Sequence, residues 1–226
     1  MSRKHVVIVA GGKGLRMGSD LPKQFIPIGG LPVLMHTIQN FFDYDNQINI
    51  ILVLPLSHRS YWESLCAEYK FDIAHTIATG GETRFHSVKN GLSFVDEGIV
   101  AVQDGVRPFA STQMIARCFD SATHYGAVIP VINSTDSLRE MLNDERSRII
   151  DRSKIRLVQT PQVFSAELLK KAYQTEFKDT FTDDASVVEA MGENIHLVQG
   201  EVTNIKITTP LDLKIGELIV QSSQSV

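Results

Sequence analysis

The first residues able to do chemistry follow the first apolar run of the chain. That run, 6–10, opens into Ala10-Gly11-Gly12-Lys13-Gly14-Leu15-Arg16-Met17-Gly18 and then Leu21-Pro22-Lys23-Gln24. Glycines at this density let successive backbone N–H groups wrap an anion. Arg16 and Lys23 place two cations beside them, so a phosphate is the natural guest of Ala10, Gly11, Gly12 and Gly14. Two commoner phosphate devices do not fit. A P-loop needs Gly-Lys followed by Ser or Thr, and Lys13 is followed by Gly14. The dinucleotide fingerprint wants Gly or Ala at its third position, where Met17 stands, which disfavours a hydride-transfer enzyme. Further on, Asp104 ends an apolar strand, the place where open α/β sheets hold ligands and metals. A hard cation bridging phosphates takes one or two carboxylates and several waters, which makes Asp104 a metal candidate. Asp183 and Asp184 compete for that role, or else favour the positive end of the helix they open. Lys206 lies in the β-rich segment Asn204-Ile205-Lys206-Ile207-Thr208, where a lysine is either an edge residue snorkelling to water or a buried cation with a purpose.

The elements that must hold these groups alternate. Short β-branched runs at 6–10, 48–54, 99–103, 127–132 and 195–198 are of the kind buried in parallel sheets. Between them, Leu34, Ile38 and Phe41 recur at helical spacing, as do Phe85, Val88, Leu92 and Val95, and Ile115, Phe119 and Ala122. A final helix starts with Thr209 as N-cap, Pro210 at its first position and Asp212 at the capping-box position. This predicts an α/β fold: an open, mostly parallel, Rossmann-like sheet with helices on both faces. The segment 133–156 breaks the rhythm. It is dense in charge, with apolar pairs Met141-Leu142 and Ile149-Ile150 about a turn at Asn143-Asp144. It is a solvated surface hairpin, or a β-arm that projects from the domain and covers its apolar residues on a second subunit.

The chain has 226 residues, 43% hydrophobic and 21% charged, with a net charge of −4. These values suit one globular domain, residues 1–226, with the arm inserted in it. The lack of a basic block argues against duplex nucleic acid as a partner. The apolar run 6–10 is too short for a signal peptide or a membrane span, which points to a cytoplasmic protein without a membrane partner. Cys66 and Cys118 are expected to be buried, reduced thiols, too few for a cysteine-built zinc site.

Six segments in order carry a family likeness: Ala10 to Gly18 with Pro22-Lys23-Gln24; Gly80-Gly81-Glu82-Thr83-Arg84 with Ser87; Asp104-Gly105-Val106-Arg107-Pro108; Gln159-Thr160-Pro161-Gln162; Thr182-Asp183-Asp184-Ala185; and Asn204 to Pro210. Together they resemble the 2-C-methyl-D-erythritol 4-phosphate cytidylyltransferases of non-mevalonate isoprenoid synthesis, over essentially the whole chain. The resemblance implies transfer of the cytidylyl group of CTP to a polyol phosphate with Mg²⁺, and release of pyrophosphate. It implies that Arg16 and Lys23 stabilise the transition state, and that Lys206 holds the substrate phosphate. Arg152, in Ile149-Ile150-Asp151-Arg152, would reach that phosphate from the arm of the other subunit of a homodimer. Thr182 would cap its helix and turn donors toward the same anion, with Arg107 nearby. Gly81, Arg84 and Ser87 would take the cytosine, the Ser87 hydroxyl reading its edge, and Asp104 with Gly105 would complete the nucleotide and metal site.

The chain departs from the family at two places. His-Asp-Ala-Ala-Arg-Pro is here Gln103-Asp104-Gly105-Val106-Arg107-Pro108, whose Val-Arg-Pro-Phe continuation also resembles ribitol 5-phosphate cytidylyltransferases. Pro130-Val131-Ile132-Asn133-Ser134-Thr135-Asp136 replaces Pro-Val-x-Asp-Thr, which shifts the family's substrate-binding threonine. Asp151-Arg152 and Thr182-Asp183-Asp184-Ala185 favour methylerythritol phosphate over ribitol phosphate. A catalytically silent nucleotide-binding protein is opposed by the joint presence of Arg16, Lys23, Arg152 and Lys206.

Overall fold

Val6, Val7 and Ile8 are wholly buried, because a β-branched run that is apolar on both sides must be covered on both sides. In the computed structural model, which describes residues 2–12 and 21–224, this run belongs to β1 (Lys4–Val9). There follow β2 (Pro27–Ile28), β3 (Leu31–Pro32), α1 (Val33–Tyr44), β4 (Asn49–Leu54), α2 (Arg59–Glu68), β5 (Thr76–Thr79) and α3 (Arg84–Leu92). The middle of the chain forms β6 (Ile99–Asp104), α4 (Thr112–Tyr125), β7 (Ala127–Asn133), β8 (Leu138–Met141) and β9 (Ser147–Ile150). The last part forms β10 (Arg156–Val158), β11 (Gln162–Ser165), α5 (Ala166–Ala172), α6 (Asp184–Glu189), β12 (His196–Gln199) and α7 (Pro210–Gln224).

The main sheet runs β10-β7-β11-β6-β1-β4-β5, with β12 also paired to β7. Side chains of β1 alternate between two cores. Val6 and Ile8 pack with Leu34 and Ile38 of α1, Trp62 of α2 and Phe119 of α4. Val7 packs on the other face with Phe85 and Val88 of α3 and Leu169 of α5. The expected α/β sheet with helices on both faces is therefore present, but it is mixed. Pairings β12–β7, β6–β1, β1–β4 and β4–β5 are parallel, whereas β10–β7, β11–β7 and β11–β6 are antiparallel. The antiparallel strands come where the chain returns from the hairpin without a crossover helix, and a direct return can only pair antiparallel.

That return strand is bulged. Val158 faces Val131 and Val163 faces Val128, so five steps on one strand oppose three on the other. Bulges re-aim side chains beside functional sites, and this one turns Gln159 and Thr160 into the protein, both nearly fully buried.

The hairpin β8–β9 pairs outside the main sheet. Asn143 closes its turn, its Oδ1 accepting from the N–H groups of Glu145 and Arg146. Met141 and Ile149 are 62% and 74% exposed. α7 opens as the sequence predicts: Thr209 Oγ1 accepts from the Asp212 N–H at 3.3 Å, and the Asp212 carboxylate accepts from the Thr209 N–H at 2.7 Å. Two expectations are corrected. Cys118 is buried but Cys66 is only half-buried; burial pushes the thiols up to about 12 and about 11. Residues 204–208 form no strand: Ile207 N–H donates to the Val106 carbonyl, but the Ile205 N–H turns back to Thr203 and the Thr208 N–H to the Asp212 carboxylate, so no ladder forms.

Gly91 fixes how close α3 lies to the sheet. A Cβ there would sit 2.5 Å from Val7 Cγ1 and 2.9 Å from Val53 Cγ2. Ala gains at most about 1 kcal/mol of helix propensity over Gly, while overpacking a core costs roughly 1–3 kcal/mol. Gly91→Ala is therefore expected to lower stability, read as a lower urea midpoint with an unchanged slope.

Candidate active site

The carboxyl ends of β1 and β6 and the loops after them enclose two cavities. The floor of the first, of about 440 Å³, is Ala10, Gly11 and Gly12. Its backbone is tied from both sides: Ala10 N–H donates to the Val53 carbonyl at 3.0 Å, and the buried Gln24 Nε2 donates to the Ala10 carbonyl at 2.8 Å. Lys23 overhangs this floor, its Cε 3.8 Å from where a Gly12 Cβ would stand. The far wall is the loop 80–83. Gly81 must be glycine, since a Cβ would lie 2.4 Å from His86 Cβ. Its N–H donates to Ser87 Oγ at 3.0 Å, and that hydroxyl donates to the Thr83 carbonyl at 2.9 Å.

The second cavity, about 280 Å³, is lined by Arg107, Gln159, Thr160, Gln162, Thr182 and Asp183, among others. Arg84, Asp104 and Lys206 line both cavities. The Asp104 carboxylate accepts from Lys206 Nζ at 2.8 Å, with Arg84 Nε at 3.5 Å and Arg107 Nε at 3.7 Å. Burial would raise its pKa, but Arg84, Lys206 and Arg107 outweigh burial and bring it down to about 2. Arg84 in turn meets Asp184 through both terminal nitrogens, at 3.1 and 2.7 Å. Burial opposes the Arg84 charge, and the Asp184 and Asp104 carboxylates more than offset it, so Arg84 stays protonated.

The residues singled out in the sequence divide. Ala10, Gly11, Gly12, Lys23, Gly81, Arg84, Ser87, Asp104 and Lys206 line the first cavity, and Arg107 and Thr182 the second. Gly14 and Arg16 lie outside the described residues. Gly105 lines neither cavity: its N–H donates to the Val9 carbonyl at 2.9 Å, and a Cβ would stand 2.9 Å from Ala10 Cβ, so it is a packing glycine behind the floor. Arg152 is exposed on the turn Arg152–Lys154, donates to the Thr135 carbonyl and lines neither cavity of its own chain. Thr182 is not the helix cap. Asp183 is, its Oδ1 accepting from the Ser186 N–H at 2.9 Å, while the Ala185 N–H donates to Gln162 Oε1 at 2.9 Å. Two of the first-turn donors expected to face an anion, the Ala185 and Ser186 N–H groups, are thus already used within the protein. Asp183 and Asp184 are committed to Ser186 and Gln162, and to Arg84 and Tyr173. Among the described residues no three His, Cys, Asp or Glu side chains gather as a metal cage. No helix among the described residues is long and apolar enough to cross a membrane.

Residues 4–222 match the model of the family described as 2-C-methyl-D-erythritol 4-phosphate cytidylyltransferase. The chain belongs to that family. The protein of that name from Phocaeicola vulgatus is 58% identical, over 96% of this chain and 99% of its own length. The crystal structure of 4-diphosphocytidyl-2C-methyl-D-erythritol synthase from Anaerococcus prevotii superposes with a TM-score of 0.83 at 30% identity, covering 97% of this chain and 96% of that one. The cytidylyltransferase structure from Thermus thermophilus gives 0.78 at 32% identity, covering 98% and 100%.

Placed against this cytidylyltransferase family, the site has members that residue chemistry alone did not single out. Gln159, Thr160 and Gln162 stood only as a motif without a role, and Gln24 as the end of one. Tyr173 carried no local signal at all; only the packing of α5 against α6 brings it to Asp184.

Asp104 generates a pH-dependent prediction. Its folded pKa lies below the ordinary 3.8, so its contribution is complete above about pH 4 and disappears as pH falls through 2. That contribution is on the order of 2 kcal/mol. Urea unfolding of Asp104→Asn at pH 7 is expected to show a loss of that order, shrinking toward zero as both proteins are titrated to pH 2.

Proposed function

We infer that this chain transfers the cytidylyl group of CTP to 2-C-methyl-D-erythritol 4-phosphate. The observation that carries the reading is the pair of cavities sharing one cationic wall, Arg84 and Lys206 about Asp104. Two phosphorylated substrates can meet there only if their like charges are neutralised where they touch. CTP occupies the first cavity, its phosphates over Gly11 and Gly12 beneath Lys23 and its base toward the loop 80–83. The polyol phosphate occupies the second, between Arg107, Thr182 and Lys206. One of its phosphate oxygens attacks the α-phosphorus, the bond from that phosphorus to the bridging oxygen breaks, and pyrophosphate leaves.

No general base is required. A phosphate monoester, with a second pKa of about 6, is already largely ionised at neutral pH. The chain's contribution is position and charge: Lys23, with Arg16, stabilises charge growing on the α-phosphate, and Lys206 orients the nucleophile. Ser87 shapes the base end indirectly, since its hydroxyl is engaged by Gly81 and Thr83.

Mg²⁺ suits this site only together with nucleotide. Asp104 is one hard oxygen donor, and three cations already surround it. Asp104 would hold the ion directly or through water, as one carboxylate beside substrate phosphates commonly does. When bound, the ion would neutralise phosphate charge that the side chains leave uncovered.

The arm 133–156 serves a homodimer in the cytoplasm. Its apolar Met141 and Ile149 are exposed, and Arg152, unplaced in its own site, would act in the other subunit's. Arginine suits that post because its planar fork grips phosphate bidentately.

Two measurements test these assignments. Pyrophosphate release with CTP and Mg²⁺ is expected with methylerythritol phosphate and not with ribitol 5-phosphate; the reverse preference would overturn the substrate. Arg152→Ala and Lys206→Ala are each expected to lose about 10²-fold in rate. Mixed after reversible dissociation, they should recover about a quarter of wild-type activity, because half the dimers then carry one intact site of two. No recovery in verified heterodimers would place Arg152 outside the partner's site.

A further inference from the structure

Tyr173 stands outside every motif, yet it is 1% exposed with its hydroxyl 2.6 Å from Asp184 Oδ1, to which it donates. Asp184 is fully buried and accepts three hydrogen bonds, one from Tyr173 and two from the terminal nitrogens of Arg84. The Tyr173 ring stacks on Phe85, the next residue along α3, with centroids 4.6 Å apart and planes 22° apart. Arg84 is therefore gripped twice, through its guanidinium by Asp184 and through its neighbour by the Tyr173 ring.

A guanidinium has five N–H donors in a fixed fork. The forked contact with Asp184 takes one from each terminal nitrogen, and Nε faces Asp104 at 3.5 Å. One N–H on each terminal nitrogen is left, in a plane that Asp184 sets. Arg84 lines both cavities, so this plane decides whether those two donors meet the phosphates on the two sides.

We propose that Tyr173 and Asp184 are positioning residues for cytidylyl transfer, fixing the Arg84 guanidinium as the shared wall between nucleotide and polyol phosphate. This deepens the reading of the site given above and rests on it. Asp184 holds the plane of the fork. Tyr173 holds Asp184, whose contact with Arg84 alone would leave the carboxylate free to pivot about its own side-chain torsion. A lysine at position 84 has no plane to orient, since its ammonium is a rotating point charge.

The decisive experiment is a double-mutant cycle on kcat with Tyr173→Phe and Arg84→Lys, in the full-length protein with CTP, Mg²⁺ and methylerythritol phosphate. Tyr173→Phe removes one oxygen and keeps the ring that stacks on Phe85. It is expected to lower kcat about tenfold, displacement of a contact group by 1 Å being worth up to about 10²-fold. Its KM for CTP should stay within about twofold, since Lys23, the glycine floor and the loop 80–83 are untouched. In the Arg84→Lys background the same change should cost less than twofold, because the plane it serves is gone. An equal loss in both backgrounds would make Tyr173 a merely structural residue and overturn the proposal, as would an unchanged kcat in Tyr173→Phe. Asp184→Asn strips a buried arginine of its counter-charge and is the variant more prone to misfold; Tyr173→Phe keeps the test independent of it. Failure of the functional reading itself is distinguishable, because wild-type protein would then release no pyrophosphate.

Discussion

The site depends on one carboxylate, that of Asp104. Arg84 comes from the start of α3, Arg107 from the turn after β6 and Lys206 from a segment late in the chain, and all three point at it. Cations brought so close would repel one another in a partly dry pocket, where charges interact far more strongly than in water. Asp104 makes that gathering tolerable, and three segments distant in sequence converge as a result. With Asp184 on Arg84, the three cations exceed the two carboxylates they meet by one charge, and Lys23 adds a further cation over the glycine floor. Asp104 can occupy this position because β6 is buried along its whole length and ends there, with the Asp104 N–H donating to Thr160 Oγ1 at 3.1 Å.

What the sequence revealed and what it hid have physical reasons. β1, β4 and β6 were legible because strands buried on both faces must be continuously apolar. α1, α3 and α4 were legible because one face of each meets the sheet. The short β10 and β11 were not: each residue of β10 stays partly open to solvent, and nothing in Arg156-Leu157-Val158 marks the direction in which it pairs. That direction follows from the arm bringing the chain straight back. The same blindness to direction made the sheet seem more parallel than it is.

At the site, glycines and cations were legible by type, whereas the use to which each is put required three dimensions. Gly105 belongs to the same motif as Asp104, yet it faces the packing of β1 on α1 and not the ligand. Thr182 precedes an acidic pair and has the composition of a helix cap, but Asp183 reaches Ser186 first. Lys206 is flanked by isoleucines as a strand residue would be. Ile207 is buried with its N–H on the Val106 carbonyl, and anchorage on either side, at Asn204 and Thr208, leaves Lys206 turned to the cavities without any ladder of hydrogen bonds.

The bulge before β11 connects the arm to the chemistry. Gln159 donates to the Glu201 carbonyl at 2.8 Å, and Asn204 Nδ2 donates to the Thr160 carbonyl at 2.9 Å. Arg107 Nη1 donates to the Asn204 carbonyl at 2.8 Å. Two residues after Asn204 comes Lys206. The strand by which the arm re-enters the sheet is thus bonded, through buried amides, to the segment carrying Lys206 and to Arg107 beside it. Buried amides tolerate little displacement, because each lost partner leaves a desolvated polar atom costing about 1–3 kcal/mol. β10 leads straight into Gln159 and Thr160, so the pairing of β10 on β7 and the placing of Asn204, Arg107 and the approach to Lys206 rest on the same run of buried amides.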